Sequence, residues 1–128
     1  MAGQFPFEFN DDLGGVRADF IGTVPPGIAT KEALLQALYE SLSLPGWFGF
    51  NWDALSDCLR DFHWMEHHDI AVVHHDVPAL PGRELQAYVD VLTDAIESWQ
   101  ANDSHRLIVV FPTAFEQQVR ALLMKQRG

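Results

Sequence analysis

Alternation and runs of apolar residues predict strands in several short segments. Residues 18–24, 69–75 and 106–111 have the apolar content of buried strands, and the last of them, RLIVVF, is a continuous apolar run typical of a parallel sheet covered on both faces. Nearer the N-terminus, residues 4–9 (QFPFEF) alternate phenylalanine with other residues. This pattern predicts a short strand or docked arm, which Pro6 would confine to a sheet edge because proline has no N–H to donate.

Between the strands predicted at residues 18–24 and 69–75, helical periodicity predicts two helices. The first begins after Thr30, a good N-cap residue, and Pro45 sets its limit. The second begins after Asn51, another preferred N-cap, and is predicted to run to about Phe62. The first helix has one apolar stripe, formed by Leu34, Leu35, Leu38 and Leu42.

A third helix is predicted from Arg83 to about Ala101, and a fourth follows the last strand. Thr113 and Glu116 have the spacing of a capping box, so the fourth helix is expected to begin there. The order β-α-α-β-α-β plus a C-terminal helix predicts an α/β fold with a parallel sheet and right-handed crossovers. We treat residues 1–128 as a single domain, since 128 residues is a usual domain size.

The charge balance narrows the choice of partner. Eight Lys and Arg against eighteen Asp and Glu give a formal charge of −10 and a pI near 4.7. Free nucleic acid and anionic membranes would repel such a protein within a Debye length of about 10 Å, whereas a basic protein would be attracted. A protein partner is therefore expected, with no direct nucleic-acid or membrane binding.

Cysteine usage and the N-terminus indicate the compartment. Cys58 is the one cysteine, so an intramolecular disulfide is impossible and a reducing environment fits best. The N-terminal residues lack the basic and apolar regions of a signal peptide. We expect a soluble, cytoplasmic monomer.

Carboxylates recur at every fourth position of the second predicted helix. On a helix from residue 51 to 62, Asp53, Asp57 and Asp61 would lie above one another, opposite an apolar stripe that includes Cys58. The helix dipole favours a negative charge at Asp53 only, and like charges four residues apart destabilise a helix. Two interpretations remain: a solvated face on which Arg60 relieves Asp57, or a face that meets a basic partner.

The loop before this helix favours the second interpretation. It contains Trp47, Phe48 and Phe50, and aromatic residues are enriched in protein interfaces. One or two of these rings are also expected to pack beneath the helix. An aromatic loop beside a row of charges is a plausible binding surface for a basic protein.

The segment LSLPGWFGFNWDALSDCLRD, residues 42–61, resembles the signature of the barstar family, intracellular inhibitors of the bacterial ribonuclease barnase. Its pattern is Leu-Pro, two aromatics, Gly, one variable residue, Asn, one variable residue, Asp-Ala-Leu, one variable residue, and Asp-Cys-Leu. The matching residues are Leu44, Pro45, Trp47, Phe48, Gly49, Asn51, Asp53, Ala54, Leu55, Asp57, Cys58 and Leu59. The resemblance is close over some twenty residues, and the element order extends it from about residue 18 to 111.

The resemblance implies a small three-stranded parallel sheet packed with helices. It also implies an inhibitor that inserts its second helix and the preceding loop into the active site of a basic ribonuclease. In that arrangement Asp57 takes the place of a substrate phosphate, Asp53 adds a charged contact, and Trp47 covers the base-recognition region. The expected partner-binding residues are Trp47, Phe48, Gly49, Asn51, Asp53, Ser56, Asp57, Arg60, Asp61 and Asp94.

This chain departs from the family pattern at several places. Ser56 stands where barstar has tryptophan, and Asp61 and Phe62 stand where barstar has Gly-Trp. The contributing acidic residue of the later helix is either Asp94 or Glu97. An N-terminal arm (residues 1–16) and a C-terminal helix (residues 113–128) are additions. These departures leave the identity of the nuclease open.

Three other functions compete with inhibition. The first is a metal enzyme, suggested by Glu66 and the histidines His63, His67, His68, His74 and His75, although no HExxH pattern occurs. The second is nucleophilic catalysis by Cys58, which its apolar surroundings disfavour. The third is an immunity or regulatory protein of the same fold that binds another basic toxin. We expect no catalytic residue, no metal and no cofactor.

Overall fold

A four-stranded parallel sheet forms the centre of the fold. The structure is a computed structural model that describes residues 5–127, apart from the side chains of Leu13 and residues 125–127. Residues 1–4 of the predicted arm and Gly128 of the predicted helix lie outside the described residues. Along the chain, the strands are β1 (Glu8–Phe9), β2 (Phe20–Val24), β3 (Asp69–His74) and β4 (Arg106–Phe111). Across the sheet, their order is β1-β4-β3-β2.

The predicted three-stranded sheet is therefore wrong by one strand. Part of the N-terminal arm forms β1, which pairs in parallel with β4 so that Glu8 lies opposite Val110 and Phe9 opposite Phe111. The short strand predicted from the alternation in residues 4–9 is confirmed at residues 8 and 9, but the three-stranded count left it out of the sheet. The arm lies at an edge, as the proline in QFPFEF requires.

The connection from β1 to β2 covers the second face of the sheet. These strands lie at opposite edges, so residues 10–19 cross over β4 and β3. A right-handed crossover in this direction runs over the face opposite the helices. Its Val16 packs there against Ala71 and Val73 of β3 and Ile108 and Val110 of β4. The apolar run of β4 is thus buried on both faces, as predicted.

The helices cover the other face, on which the main core lies. They are α1 (Lys31–Ser41), α2 (Trp52–Leu59), α3 (Gly82–Ser98) and α4 (Glu116–Arg127). Both predicted N-caps of the first two helices are confirmed: Thr30 accepts a hydrogen bond from the N–H of Ala33, and Asn51 accepts one from that of Ala54. Within residues 5–127, none of the helices combines the length and apolar character needed to cross a membrane.

Helix α2 is shorter than predicted, and this changes the row of carboxylates. The helix ends at Leu59, and the chain turns so that Phe62 adopts a left-handed φ of 53° with its ring fully buried. Burial of this ring outweighs continuation of the helix, although left-handed backbone costs a non-glycine residue about 1 kcal/mol. Asp53 and Asp57 remain on the helix, but Asp61 lies in the turn beyond it.

The start of α4 also differs from the prediction. A single 3₁₀ turn, Thr113–Phe115, precedes the helix. The hydroxyl and the N–H of Thr113 both donate to the carboxylate of Asp11, at 2.6 and 2.9 Å. The predicted capping box is wrong, because the N–H of Glu116 donates to the backbone carbonyl of Thr113 and not to its hydroxyl. Val119 and Leu123 of this helix are buried in the core.

Candidate protein-binding surface

Two tryptophans fix helix α2 against α3. The indole N–H of Trp52 donates to Glu84 at 3.1 Å, and the indole N–H of Trp99 donates to the carbonyl of Leu59 at 2.9 Å. One bond lies at the first turns of the two helices and the other at their ends, so α2 is held against α3 at both of its ends. Because Leu55, Cys58 and Leu59 are fully buried, the opposite face of α2 is turned outward.

The outward face of α2 carries Asp53 in its first turn and Asp57 one turn later. The side chain of Asp57 is 69% exposed. The guanidinium of Arg60 approaches it to 3.5 Å, and this arginine is itself about half exposed. An exposed pair at this distance is weak, typically below about 1 kcal/mol. Asp57 therefore presents a charged group to solvent from a firmly packed helix.

A cleft of about 480 Å³ opens beside Asp57. Its lining residues come from α2 and from the end of α3 with the loop that follows: Asp57, Arg60, Ser98, Trp99, Asp103 and Ser104. The sequence analysis did not identify Trp99, Ser98, Asp103 or Ser104 as residues of a binding site. No local pattern could have revealed them, because only the packing of α3 against α2 brings them to Asp57.

The two candidate acids of α3 differ in their relation to this cleft. Asp94 and Glu97 are both exposed. Asp94 lies one turn before Ser98, and residues four apart share a helix face. Glu97 is about 100° around the helix from Ser98. The geometry thus places Asp94 closer to the cleft-lining face, and its role in binding stays a prediction.

The aromatic loop divides into a buried and an exposed part. The carbonyl of Pro45 accepts a hydrogen bond from the N–H of Phe48 at 2.9 Å, which closes a turn. Phe48 is only 4% exposed and packs against the rings of Tyr39 and Phe50, so it supports the loop from below. Trp47 and Phe50, which are 59% and 42% exposed, supply its outer surface.

Three further candidates lie at the start and on the flank of α2. Asn51 caps the helix with its side-chain oxygen, and its amide donates to the carbonyl of Gly49 at 3.3 Å. Both groups of Asn51 are therefore engaged in shaping the turn into the helix. Ser56 is half-buried, and its carbonyl accepts a bond from the guanidinium of Arg60. Direct contact of these residues with a partner remains a prediction.

Asp61 is directed toward a residue that the sequence reasoning did not connect with binding. Its carboxylate is hydrogen-bonded to Nδ1 of His63, and the imidazole of His63 lies parallel to the indole of Trp47. The turn after α2 therefore reaches the loop before it. No sequence motif predicts this contact between His63 and Trp47, because it depends on the path of the chain after α2.

The histidines and the cysteine considered for the rival enzymatic functions make contacts within the fold. Among the residues that the structure describes, no set of three or more His, Cys, Asp or Glu side chains could hold a metal ion. His74 is buried between Val110 and Tyr88, and His68 is bonded to its neighbour Asp69. Burial raises the pKa of the Cys58 thiol to about 11, with the charges of Asp57 and Asp61 adding to the effect.

The family described as Barstar (barnase inhibitor) matches residues 24–118. The chain belongs to the barstar family. No curated protein sequence matches it. The match to the barstar family includes all of α2, the aromatic loop and the cleft, while β1 and most of α4 lie outside it. Since members of the family bind and inhibit ribonucleases, the expected partner class is a protein.

Proposed function

We propose that this protein inhibits a basic ribonuclease by placing α2 and the aromatic loop in the active site of the nuclease. One observation carries the proposal: Asp57, at the place of the phosphate-mimicking aspartate of the family, extends an exposed carboxylate from a helix that two tryptophan hydrogen bonds hold in place. A carboxylate so placed would occupy the position of an RNA phosphate among the basic side chains of the enzyme.

Rigid presentation makes this mimicry effective. Association costs entropy whenever side chains or loops must be ordered, so a helix already fixed in position binds more tightly than a mobile one. The core face of α2 is fully buried, and its start is capped by Asn51. The inhibitor needs no catalytic group of its own, because it only has to fill and neutralise the active site.

The charge of the whole chain acts in the same direction. A net charge of −10 attracts a basic nuclease over distances near the Debye length and raises the association rate. The charged groups that line the cleft are the carboxylates of Asp57 and Asp103 and the guanidinium of Arg60. The surface that faces the partner therefore has the same sign as the chain.

The alternative, an immunity protein for another basic toxin, is favoured by the turn after α2. Asp61 stands there in place of the glycine of the family pattern and adds a carboxylate with 46% of its side chain exposed. A partner surface that accommodates Asp61 and His63 differs from one that faces glycine. The proposal therefore specifies the mode of binding and leaves the choice of nuclease to experiment.

The test is capture of a partner from the native host with the wild-type protein as bait, followed by assay of the captured protein for RNA cleavage. RNA cleavage by the captured protein is titrated with the inhibitor, and the same titration is made with barnase as a defined probe. We expect stoichiometric inhibition of a basic ribonuclease. A captured partner that does not cleave RNA, together with uninhibited barnase, would contradict the proposal and support the toxin alternative.

A further inference from the structure

We infer that His63 is a positioning residue, which holds the indole of Trp47 in the orientation presented to the partner. The consequence for inhibition rests on the proposed function, whereas the positioning itself does not. His63 lies outside the family signature in residues 42–61, and its role follows from contacts on both sides of its ring.

Trp47 needs an external support. It is 59% exposed and lies in a turn next to Gly46, where a Cβ atom would meet no atom within 4 Å. Its indole plane is within 5° of the imidazole plane of His63, with ring centroids 6.3 Å apart. Offset parallel stacking of this kind is a favourable arrangement of aromatic rings. It restricts an indole that its own turn leaves open to solvent.

His63 is itself held from two directions. Its Nδ1 is hydrogen-bonded to the carboxylate of Asp61, so a neutral imidazole carries its proton on Nδ1 and donates it. Its ring meets the ring of Trp64 edge-on, with an angle of 85° and centroids 5.6 Å apart. One bond and one packing contact therefore fix the plane against which Trp47 stacks.

Trp64 connects this arrangement to the core. Its indole N–H donates to the carbonyl of Leu42 at 3.1 Å, and its ring packs on Phe62, which is fully buried. Contacts thus continue from the core through Trp64 and His63 to Trp47. They also tie the turn after α2 to the loop before it, so the two flanks of the binding helix are fixed relative to each other.

Preorganisation predicts a measurable effect on binding. If the indole of Trp47 is already ordered, the complex does not lose the entropy of ordering it. Loss of the support should raise the dissociation rate by about three- to tenfold, the range expected for one immobilised side chain. A phenylalanine at position 63 keeps a stacking plane and loses only the bond to Asp61, so it should restore most of the effect.

The decisive experiment requires no nuclease. The four tryptophans give four indole N–H signals in a ¹⁵N-labelled sample, and Trp47→Phe identifies the signal of Trp47. We expect the heteronuclear NOE of Trp47 in the wild type to be close to that of the hydrogen-bonded Trp52, Trp64 and Trp99. His63→Ala should lower the value for Trp47 alone, and His63→Phe should restore it. His75→Ala, which removes another exposed histidine, is the matched control.

Two results would overturn the positioning role: a low NOE for Trp47 in the wild type, or a value that His63→Ala leaves unchanged. A second arm measures dissociation of each variant from barnase. If the wild type fails to bind barnase, the proposed function loses support for that nuclease while the NMR result still decides the role of His63. An NOE loss without faster dissociation would show that Trp47 is ordered by His63 but that its order does not contribute to binding.

Discussion

Asp57 and Cys58 are adjacent residues of α2 with opposite surroundings. Asp57 is exposed to solvent, whereas Cys58 is fully buried in the main core. Burial disfavours the thiolate, and the negative charges of Asp57 and Asp61 disfavour it further, so the pKa of Cys58 rises to about 11. The same turn of helix thus presents a charge on one side and a protonated thiol on the other.

We predict that Cys58 is nearly inert toward thiol reagents in the native protein. Thiolate is the reacting species, so a pKa of about 11 slows the reaction near pH 8 by at least about a hundredfold relative to the unfolded chain. The measurement is the rate of labelling by a bulky disulfide reagent with and without denaturant. Equal rates in the two conditions would show that Cys58 is exposed and that the face of α2 is misassigned.

His74 is a buried polar residue whose hydrogen bonds define its tautomer. Its Nδ1 lies 3.0 Å from the carbonyl of Val110, which can only accept, so Nδ1 carries the proton. Its Nε2 then accepts from the hydroxyl of Tyr88 at 2.6 Å. Both ring nitrogens are satisfied in the neutral form, and burial lowers the pKa of His74 to about 4.

We predict that His74 makes the protein less stable as the pH falls below about 6.5, the ordinary pKa of histidine. Below this pH, the imidazole of His74 is protonated in the unfolded chain but stays neutral in the folded state. The free energy of unfolding therefore decreases by about 2 kcal/mol between pH 7.5 and pH 5. Urea unfolding at both values measures it. His74→Gln should be less stable at the higher pH and show a flatter dependence. An equally steep dependence in this variant would assign the effect to other groups.

At the scale of elements, the N-terminal arm and α4 depend on each other. Asp11 follows β1 and binds both the hydroxyl and the N–H of Thr113, where the 3₁₀ turn before α4 begins. These two hydrogen bonds, the side-chain bond first, lower the pKa of the Asp11 carboxyl. Arg120 of α4 also lies over the ring of Phe5, with 4.1 Å between its guanidinium carbon and the ring centroid.

We predict that Asp11→Ala lowers the melting temperature more than Asp12→Ala, which removes an equal charge from the same segment. The carboxylate of Asp11 stabilises the fold above its ordinary pKa of 3.8, and this contribution is lost as the pH falls through the lowered folded value. The two variants should therefore converge in melting temperature at low pH. Equal melting temperatures near neutral pH would contradict the role of Asp11.

Elements with local signals were predictable from sequence, and those set by distant contacts were not. Thr30 and Asn51 bind N–H groups three residues away, so their capping roles are local. The end of α2 depends on burial of Phe62 against Trp64 and Trp99, and β1 depends on pairing with β4. Trp99 is distant in sequence, and the end of α2 was accordingly predicted too late. The alternation in residues 4–9 predicted a short edge strand, but not that its pairing with the distant β4 would make the sheet four-stranded.

The same distinction applies to the binding surface. Asp57 and Trp47 were predicted from a signature in one continuous segment. Asp103 enters the cleft and His63 reaches Trp47 only after the chain has folded. A sequence pattern can therefore identify the residues that carry the charge, but it cannot identify those that surround or support them.

At the scale of the whole molecule, charge and shape act together. In the proposed function, the net charge of −10 would attract a basic partner from a distance, whereas α2 and the aromatic loop would determine how it docks. Salt screens the first effect much more than the second, because buried interfacial charges are shielded from solvent ions. The association rate should therefore fall with ionic strength, while the dissociation rate should depend on the residues in contact.

The most direct test of the account compares inhibition of the captured ribonuclease by the wild type and Asp57→Ala at low and high salt. Removing one member of a buried interfacial charge pair costs about 2–5 kcal/mol, a range drawn partly from barnase–barstar itself, so inhibition should weaken by at least about tenfold at both salts. Folding stability should change little, since the pair with Arg60 is exposed. Glu116→Ala removes an equal charge beside Arg120 on α4 and should inhibit like the wild type. Equal inhibition by the wild type and Asp57→Ala at both salts would contradict the account.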